Sequence, residues 1–292
     1  MTSTSHVLEK ACVQVGLTAQ HADLIRAAEN TLYRLPGGIV ARVTRTGQMD
    51  VASKEVRISH WLQHVGVPVV QALPTIEQPV DVDGRAVTFW QELPPHRHGG
   101  IAEVADMLRQ IHQLQPPPEL ALPPLRPFVR LEQRITEATV FDTSERAWLT
   151  AHLHHLVEQY ETLPTGLPLT AVHGDAWGGN VVIADGYGPV VLDLERFAYG
   201  PPEWDLTSIA VDHATFGSLT NSEWTLFCQR YGHDVTDWAG HHILRDIREL
   251  RKVTFAAQMA VQYPGLSDQA RYRLACIRGH QGPRPWHWKP LP

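Results

Sequence analysis

The stretch Val172–Glu195, VHGDAWGGNVVIADGYGPVVLDLE, constrains this chain more than any other. It sets His, Asp, Asn and Glu side chains around two short apolar runs. Val181–Ile183 and Val190–Leu194 read as buried strands, and Ala184–Pro189 supplies the turn residues between them. A hairpin about Gly186 puts Asn180, just before the first strand, and Asp193, near the end of the second, at the same open end. Asp175 precedes Asn180 in a loop tightened by Gly178 and Gly179. Three oxygen-bearing side chains are thereby expected to converge. Carboxylates, an amide oxygen and waters are the donors a hard cation such as Mg2+ takes. The alternative is a solvated hairpin end with polar residues by chance.

The rest of the chain must supply a scaffold for such a site. Its 292 residues, 43 % hydrophobic and 19 % charged, suffice for a large core in one domain or two lobes. The segment from His6 to about Ala28 reads as helical, with Val7, Leu8, Cys12 and Val15 apolar on one side. NTLYRLPGGIVARV reads as two strands joined at Pro36-Gly37-Gly38. ASKEVRISHWLQHVG reads as an amphipathic helix turning Val56, Ile58, Trp61, Leu62 and Val65 to a core. VPVVQALP and RAVTFWQELP are further strand candidates, the second preceded by a turn at Asp83-Gly84. After Leu93 the texture changes. PPHRHGG is a connector, and helical patterns follow at Ile101–Leu114, Val129–Ala138, Ser144–Leu163, Asn221–Tyr231, His241–Gln262 and Ser267–Arg278. The expected fold class is α+β: a small sheet lobe carrying one helix over residues 1–92, a hinge at 90–93, and a larger, mostly helical lobe over 93–292.

Charge and cysteine usage narrow the partners. A formal net charge of −6 gives a nucleic-acid partner no electrostatic support. Three scattered cysteines, Cys12, Cys228 and Cys276, fit a reducing cytosol, and no apolar run is long enough for a membrane span. A cytoplasmic location without membrane attachment is expected. Of the 25 basic residues only Lys10, Lys54, Lys252 and Lys289 are lysine, so a phosphate-binding cation is to be sought mainly among arginines.

Two lobes with an Asp, an Asn and a second Asp around a hairpin suggest phosphoryl transfer to a hydroxyl. That reaction needs metal ions against phosphate charge, a carboxylate for the hydroxyl proton, and accurate positioning. On these residues the chain resembles the aminoglycoside phosphotransferase and choline-kinase-like group of small-molecule kinases, built on the protein-kinase fold. HGDAWGGN matches that family's H-G-D-x-x-x-x-N loop, and LDLE, with Asp193 thirteen residues after Asn180, matches its metal-binding I-D-F/L. GPPEWDL at Gly200–Leu206 resembles the segment that follows. ENTLYRL, VARV, KEVRISHWL and VGVPV fall in the family's order.

The resemblance implies roles residue by residue. Asp175 would be the base that orients and deprotonates the acceptor hydroxyl, and Asn180 and Asp193 would hold one or two Mg2+ ions. His173 and Asp205 would brace the loop. Glu195 would reach a second metal or stand solvated. The cation that meets the nucleotide phosphates would be Arg42 on its strand, paired with Glu55 on the helix, with Lys54 the weaker candidate. The family's glycine-rich loop is here AAENT, so Asn30, Thr31 and nearby main-chain N–H groups would cover the phosphates. The base of ATP or GTP would lie against the hinge, on main-chain groups of Gln91 and Leu93.

Rival motifs are missing: there is no G-x-S-x-G, H-E-x-x-H or G-x-x-x-x-G-K-S/T. The histidines, including HLHH at 152–155, lack carboxylate or thiolate company at ligand spacing. Three functions stay open at this point: a kinase for an aminoglycoside or related amino sugar, a metabolic kinase for choline-like, sugar or amino-alcohol substrates, and a catalytically silent nucleotide-binding regulator. Asp246 and Glu249, three residues apart on one helix, share a face expected to meet the ammonium groups of a cationic small-molecule acceptor. The competing arrangement pairs Glu249 with Arg245.

Overall fold

The computed structural model describes residues 3–291. In chain order its first elements are α1 (Thr4–Gln14), β1 (Asp23–Ala27), β2 (Thr31–Leu35), β3 (Ile39–Thr46), α2 (Met49–His64), β4 (Val80–Val82), β5 (Arg85–Gln91), β6 (His96–His98) and α3 (Ile101–His112). There follow α4 (Leu131–Glu137), α5 (Thr143–Glu161), β7 (Thr170–Val172), β8 (Val181–Ala184), β9 (Gly188–Val191) and β10 (Ala198–Gly200). The last helices are α6 (Glu203–Val211), α7 (Asn221–Tyr231), α8 (His241–Gln262) and α9 (Ser267–Ile277). The chain forms two compact units, one taking residues up to Pro123 together with Gly178–Phe197, the other Pro124–Trp177 and the chain from Ala198 on. Backbone pairing ties Gly178–Phe197 into the first unit: β6 is antiparallel to β8, which pairs with β9, and Val69 bridges Val191.

The first unit is built on an antiparallel sheet in the order β1-β2-β3-β5-β4. Alternation along its strands turns Tyr33, Leu35, Ala41, Val43, Val87 and Phe89 toward α1, whose Val7, Leu8, Ala11 and Cys12 complete a core. Residues one position out of phase point to the other face, where Trp90 packs with Val56 of α2. Arg42, between Ala41 and Val43, belongs to that second face. α2 buries Val56, Ile58, Trp61 and Leu62 as expected, and with them a carboxylate, Glu55. Val65 stays 40 % exposed as the C-cap.

Other expectations are corrected. The helix read through Ala28 ends at Gln14, and Asp23–Ala27 is the edge strand, exposed along its whole length and bulged between Leu24 and Arg26. An edge strand with no buried face leaves no period-two signal. VPVVQALP contributes only isolated bridges, Val69 to Val191 and Ala72 to Trp90.

In the second unit α8 is central. Leu244, Ile247, Leu250, Val253 and Ala257 pack with residues of α4, α5 and α9 and with the C-terminal Trp286 and Trp288. α6 was not read as a helix because every one of its residues is buried, which erases the amphipathic period. Among the described residues no helix is long and apolar enough to cross a membrane.

Candidate active site

In the first unit the β8–β9 register runs from Val181↔Val191 to Ala184↔Gly188, with Gly186 in the turn at φ 76°. Leu192 N–H donates to the Asn180 carbonyl at 2.8 Å. Asn180 and the residue after Leu192, Asp193, therefore stand at one end of the hairpin. Asp193 has φ 53°, the left-handed region, which Asp tolerates better than most side chains. Gly178 is fixed by close approach: a Cβ there would lie 2.6 Å from the Gly99 carbonyl oxygen, and Gly99 N–H donates to Gly178 O at 3.0 Å.

Around Asp193 the same unit gathers its charge. Arg42 Nη1 donates to Glu55 Oε1 at 2.6 Å and Nη2 to Glu195 Oε2 at 3.1 Å. With its amide oxygen facing the guanidinium, Asn30 accepts from Nη2 at 2.6 Å and Nε at 3.1 Å. Burial works against the charge of Arg42, and Glu55, Glu195 and Asp193 more than offset it, so its pKa is held above the ordinary value. Burial pushes the Glu55 carboxyl up to about 7, against the pull of Arg42. We take the pair as charged, since a 2.6 Å guanidinium–carboxylate bond is the charge-assisted kind. Carboxylate oxygens of Glu55, Asp193 and Glu195 lie within 4.8 Å of one another. With Asn180 at the same end of the hairpin as Asp193, this is an all-oxygen donor set that suits Mg2+.

Lys54, the weaker expected cation, has another task. Its Nζ donates to the carbonyls of Glu195 at 2.6 Å and Phe197 at 3.2 Å, which ties α2 to the segment after Asp193. Adjacency to Glu55 in sequence concealed this, because the partners are main-chain atoms that no side-chain pattern reveals.

The second unit holds the HGD turn. Asp205, fully buried, accepts from His173 N–H at 2.6 Å through Oδ2 and from Gly174 N–H at 2.9 Å through Oδ1. Trp204 Nε1 donates to the Gly174 carbonyl at 3.1 Å, and His173 Nδ1 accepts from Asp175 N–H at 3.3 Å. Asp175 itself stays partly exposed, at the tip of a turn whose base is pinned from α6. Asp205→Ala should lower the unfolding free energy by about 3 kcal/mol or more, because two buried N–H groups lose a charged acceptor. Denaturant unfolding measures it, and a loss below about 1 kcal/mol contradicts the brace.

The remaining expected residues are placed as follows. Thr31 is buried at the start of β2, and Gln91 ends β5 with its N–H on the Gln71 carbonyl at 2.8 Å. Leu93 packs on Val182, Ala184 and Val190. Asp246 and Glu249 do not form an open acidic face. Glu249 is 1 % exposed, both its oxygens accept from Arg284 at 2.7 and 2.6 Å, and Thr215 Oγ1 donates to it at 2.5 Å. Asp246 pairs with Arg245 at 2.9 Å and Arg284 at 3.5 Å. The sequence reading missed Arg284 because it lies 35 residues beyond Glu249, in the tail that docks on α8.

Comparison with known proteins agrees with this frame. The family model described as "Phosphotransferase enzyme family" matches residues 24–244. No curated protein sequence matches the chain. Among solved structures, an amicoumacin kinase in complex with AMP-PNP and Ca2+ superposes with a TM-score of 0.70 at 15 % identity, covering 95 % of this chain and 94 % of its own. A spectinomycin phosphotransferase in complex with ADP and spectinomycin gives 0.63 at 12 % identity, covering 96 % and 94 %. A choline kinase from Streptococcus pneumoniae gives 0.61 at 13 %, covering 94 % and 100 %. At such identities these likenesses establish the α+β, protein-kinase-like fold. The family match over most of the chain establishes the rest: the protein belongs to the phosphotransferase enzyme family, as an enzyme that transfers phosphate to an alcohol group.

Proposed function

We propose that the protein transfers the γ-phosphate of ATP or GTP to a hydroxyl of an aminoglycoside or related amino sugar. The observation that carries the nucleotide half of this reading is the Arg42–Glu55 bond of 2.6 Å beside Asp193. Glu55 and Asn30 hold the guanidinium of Arg42, which grips phosphate oxygens through its planar fork. Asn180 and Asp193 would hold Mg2+, with the carboxylates of Glu55 and Glu195 close to that of Asp193. When bound, Mg2+ neutralises charge on the β- and γ-phosphates. Asp175 accepts the proton of the acceptor hydroxyl. The acceptor oxygen bonds to the γ-phosphorus as the bond to the bridging oxygen breaks, and nucleoside diphosphate leaves.

If Arg42 and Glu55 act as a unit, Arg42→Ala and Glu55→Ala should each raise the nucleotide KM and lower kcat. The double variant should then lose less than the product of the two single losses. Strict multiplication, or a loss confined to thermal stability, would remove Arg42 from the phosphate site. The acceptor class rests on the named ligands of structural neighbours, spectinomycin and kanamycin among them, rather than on Asp246 and Glu249. A panel of aminoglycosides, uncharged sugars, choline and ethanolamine, read by nucleoside diphosphate release, decides it. Turnover of an aminoglycoside supports the proposal. Efficient turnover of choline or an uncharged sugar, with aminoglycosides inert, replaces the acceptor and leaves the transfer chemistry in place.

A further inference from the structure

Asp193, at φ 53° and ψ 72°, leads into a single 3-10 turn, Leu194–Arg196, which Phe197 N–H closes on the Leu194 carbonyl at 3.2 Å. A left-handed conformation at a residue other than glycine persists only where its surroundings over-determine it. Apolar burial supplies one part of that support, since Leu194 and Phe197 flank the turn and are fully buried. A second part is polar. So short a turn leaves its last carbonyls without partners of its own. Lys54, on α2, meets two of the carbonyls there: its Nζ donates to Glu195 O at 2.6 Å and to Phe197 O at 3.2 Å.

The choice of acceptors matters. Lys54 precedes Glu55 in the chain and reaches the main chain of Glu195, and these are two of the three carboxylates gathered within 4.8 Å. Both of its hydrogen bonds nevertheless go to main chain. An ammonium seated on a carboxylate takes up oxygens that a metal ion needs, whereas one seated on carbonyls fixes the backbone and leaves those oxygens to the metal and to Arg42. Glu195 is held twice as a result, by its carbonyl on Lys54 and by its carboxylate on Arg42 Nη2 at 3.1 Å. Two successive residues of α2 therefore fasten the two halves of the nucleotide site: Glu55 holds Arg42 at 2.6 Å, and Lys54 holds the turn after Asp193.

We propose that Lys54 is a positioning residue of the metal site: by holding the Glu195 and Phe197 carbonyls it keeps the turn after Asp193 closed, and so keeps the Asp193 and Glu195 carboxylates in the arrangement that receives Mg2+ with the nucleotide. This rests on Asp193 as a ligand of Mg2+. Without the ammonium the turn loses two hydrogen bonds, Asp193 is free to leave the left-handed region, and the carboxylates must be rearranged each time the metal binds.

Three variants test it. Lys54→Met keeps an apolar stem and removes the donors, and Lys54→Arg keeps a cation with N–H groups. Ser59→Ala is the control for a loosened helix, because Ser59 Oγ fastens the same α2 to other main chain, donating to Val70 O at 2.7 Å and accepting from Ala72 N–H at 3.1 Å. Each is titrated calorimetrically with ATP, once with Mg2+ and once with chelator, alongside a thermal melt. Lys54→Met should cut the gain in ATP affinity that Mg2+ brings by about 10-fold or more, with the affinity in chelator changed by less than about 2-fold. Lys54→Arg should regain part of that gain, since guanidinium N–H groups also donate to carbonyls. Ser59→Ala should melt earlier and keep the Mg2+ gain within about 2-fold of the wild type. An undiminished Mg2+ gain in Lys54→Met overturns the inference. So does an equal loss of that gain in Ser59→Ala at a matching loss of melting temperature, because the effect would then follow the stability of the helix. Should Lys54→Met not fold, Lys54→Gln, uncharged and one atom shorter, decides by the same comparison. An Mg2+ gain that survives in Asp193→Asn would instead remove Asp193 from the metal, and with it the reading on which the inference stands.

Discussion

Asp175→Asn lowers the turnover of phosphoryl transfer about 100-fold or more and leaves nucleotide affinity nearly unchanged. The substitution keeps size and hydrogen-bonding capacity and removes the one property the proposed role needs, a carboxylate that takes a proton as the acceptor oxygen attacks. Such an interaction strengthens only in the transition state, so kcat and kcat/KM fall together. The architecture protects the experiment from a folding artefact. Main-chain groups of His173 and Gly174 pin the turn to Asp205, and the Asp175 side chain is not their partner there. Steady-state kinetics with calorimetric nucleotide binding checks both halves. A fall in affinity matching the fall in kcat would mean that the nucleotide site had been disturbed.

The second large effect is on metal. Asp193→Ala should abolish Mg2+-dependent nucleotide binding, because it deletes a carboxylate from an otherwise sparse oxygen donor set. Asp193 also has φ 53°, so alanine there adds backbone strain of about 1 kcal/mol or more. Asp193→Asn separates the two causes, since asparagine tolerates the left-handed conformation and lacks the charge. Calorimetry of ATP binding with Mg2+ and with chelator should show a metal response in the wild type and none in either variant. A response kept in Asp193→Asn and lost in Asp193→Ala would trace the effect to the backbone.

What the sequence made legible follows from where the physics is local. The hairpin about Gly186, the turn at Pro36–Gly38 and the starts of α7 and α8 were readable because turn chemistry and apolar periodicity act over a few residues. Only the resemblance pairs Arg42 with Glu55 from sequence, since no short-range pattern joins a strand to the helix that follows it. What stayed hidden depends on distance or on uniform burial. α6 has no polar side to give a period, β1 no buried side, and Glu249 met Arg284 rather than its own helix neighbour Arg245. The contacts of Lys54 to two main-chain carbonyls and of Asn30 to Arg42 likewise leave no trace in residue spacing.

The central claim, transfer of a nucleotide γ-phosphate to an alcohol with Asp175 as base, is tested most directly by product analysis. Purified protein is incubated with ATP carrying a labelled γ-phosphate, Mg2+ and the acceptor panel, and the products are read by mass spectrometry. The account predicts that the wild type places one labelled phosphoryl group on an acceptor oxygen, with an equal amount of nucleoside diphosphate, and that Asp175→Asn leaves acceptor and nucleotide intact over the same time. Label found only as free phosphate across the panel, or equal labelled product from Asp175→Asn, would contradict it.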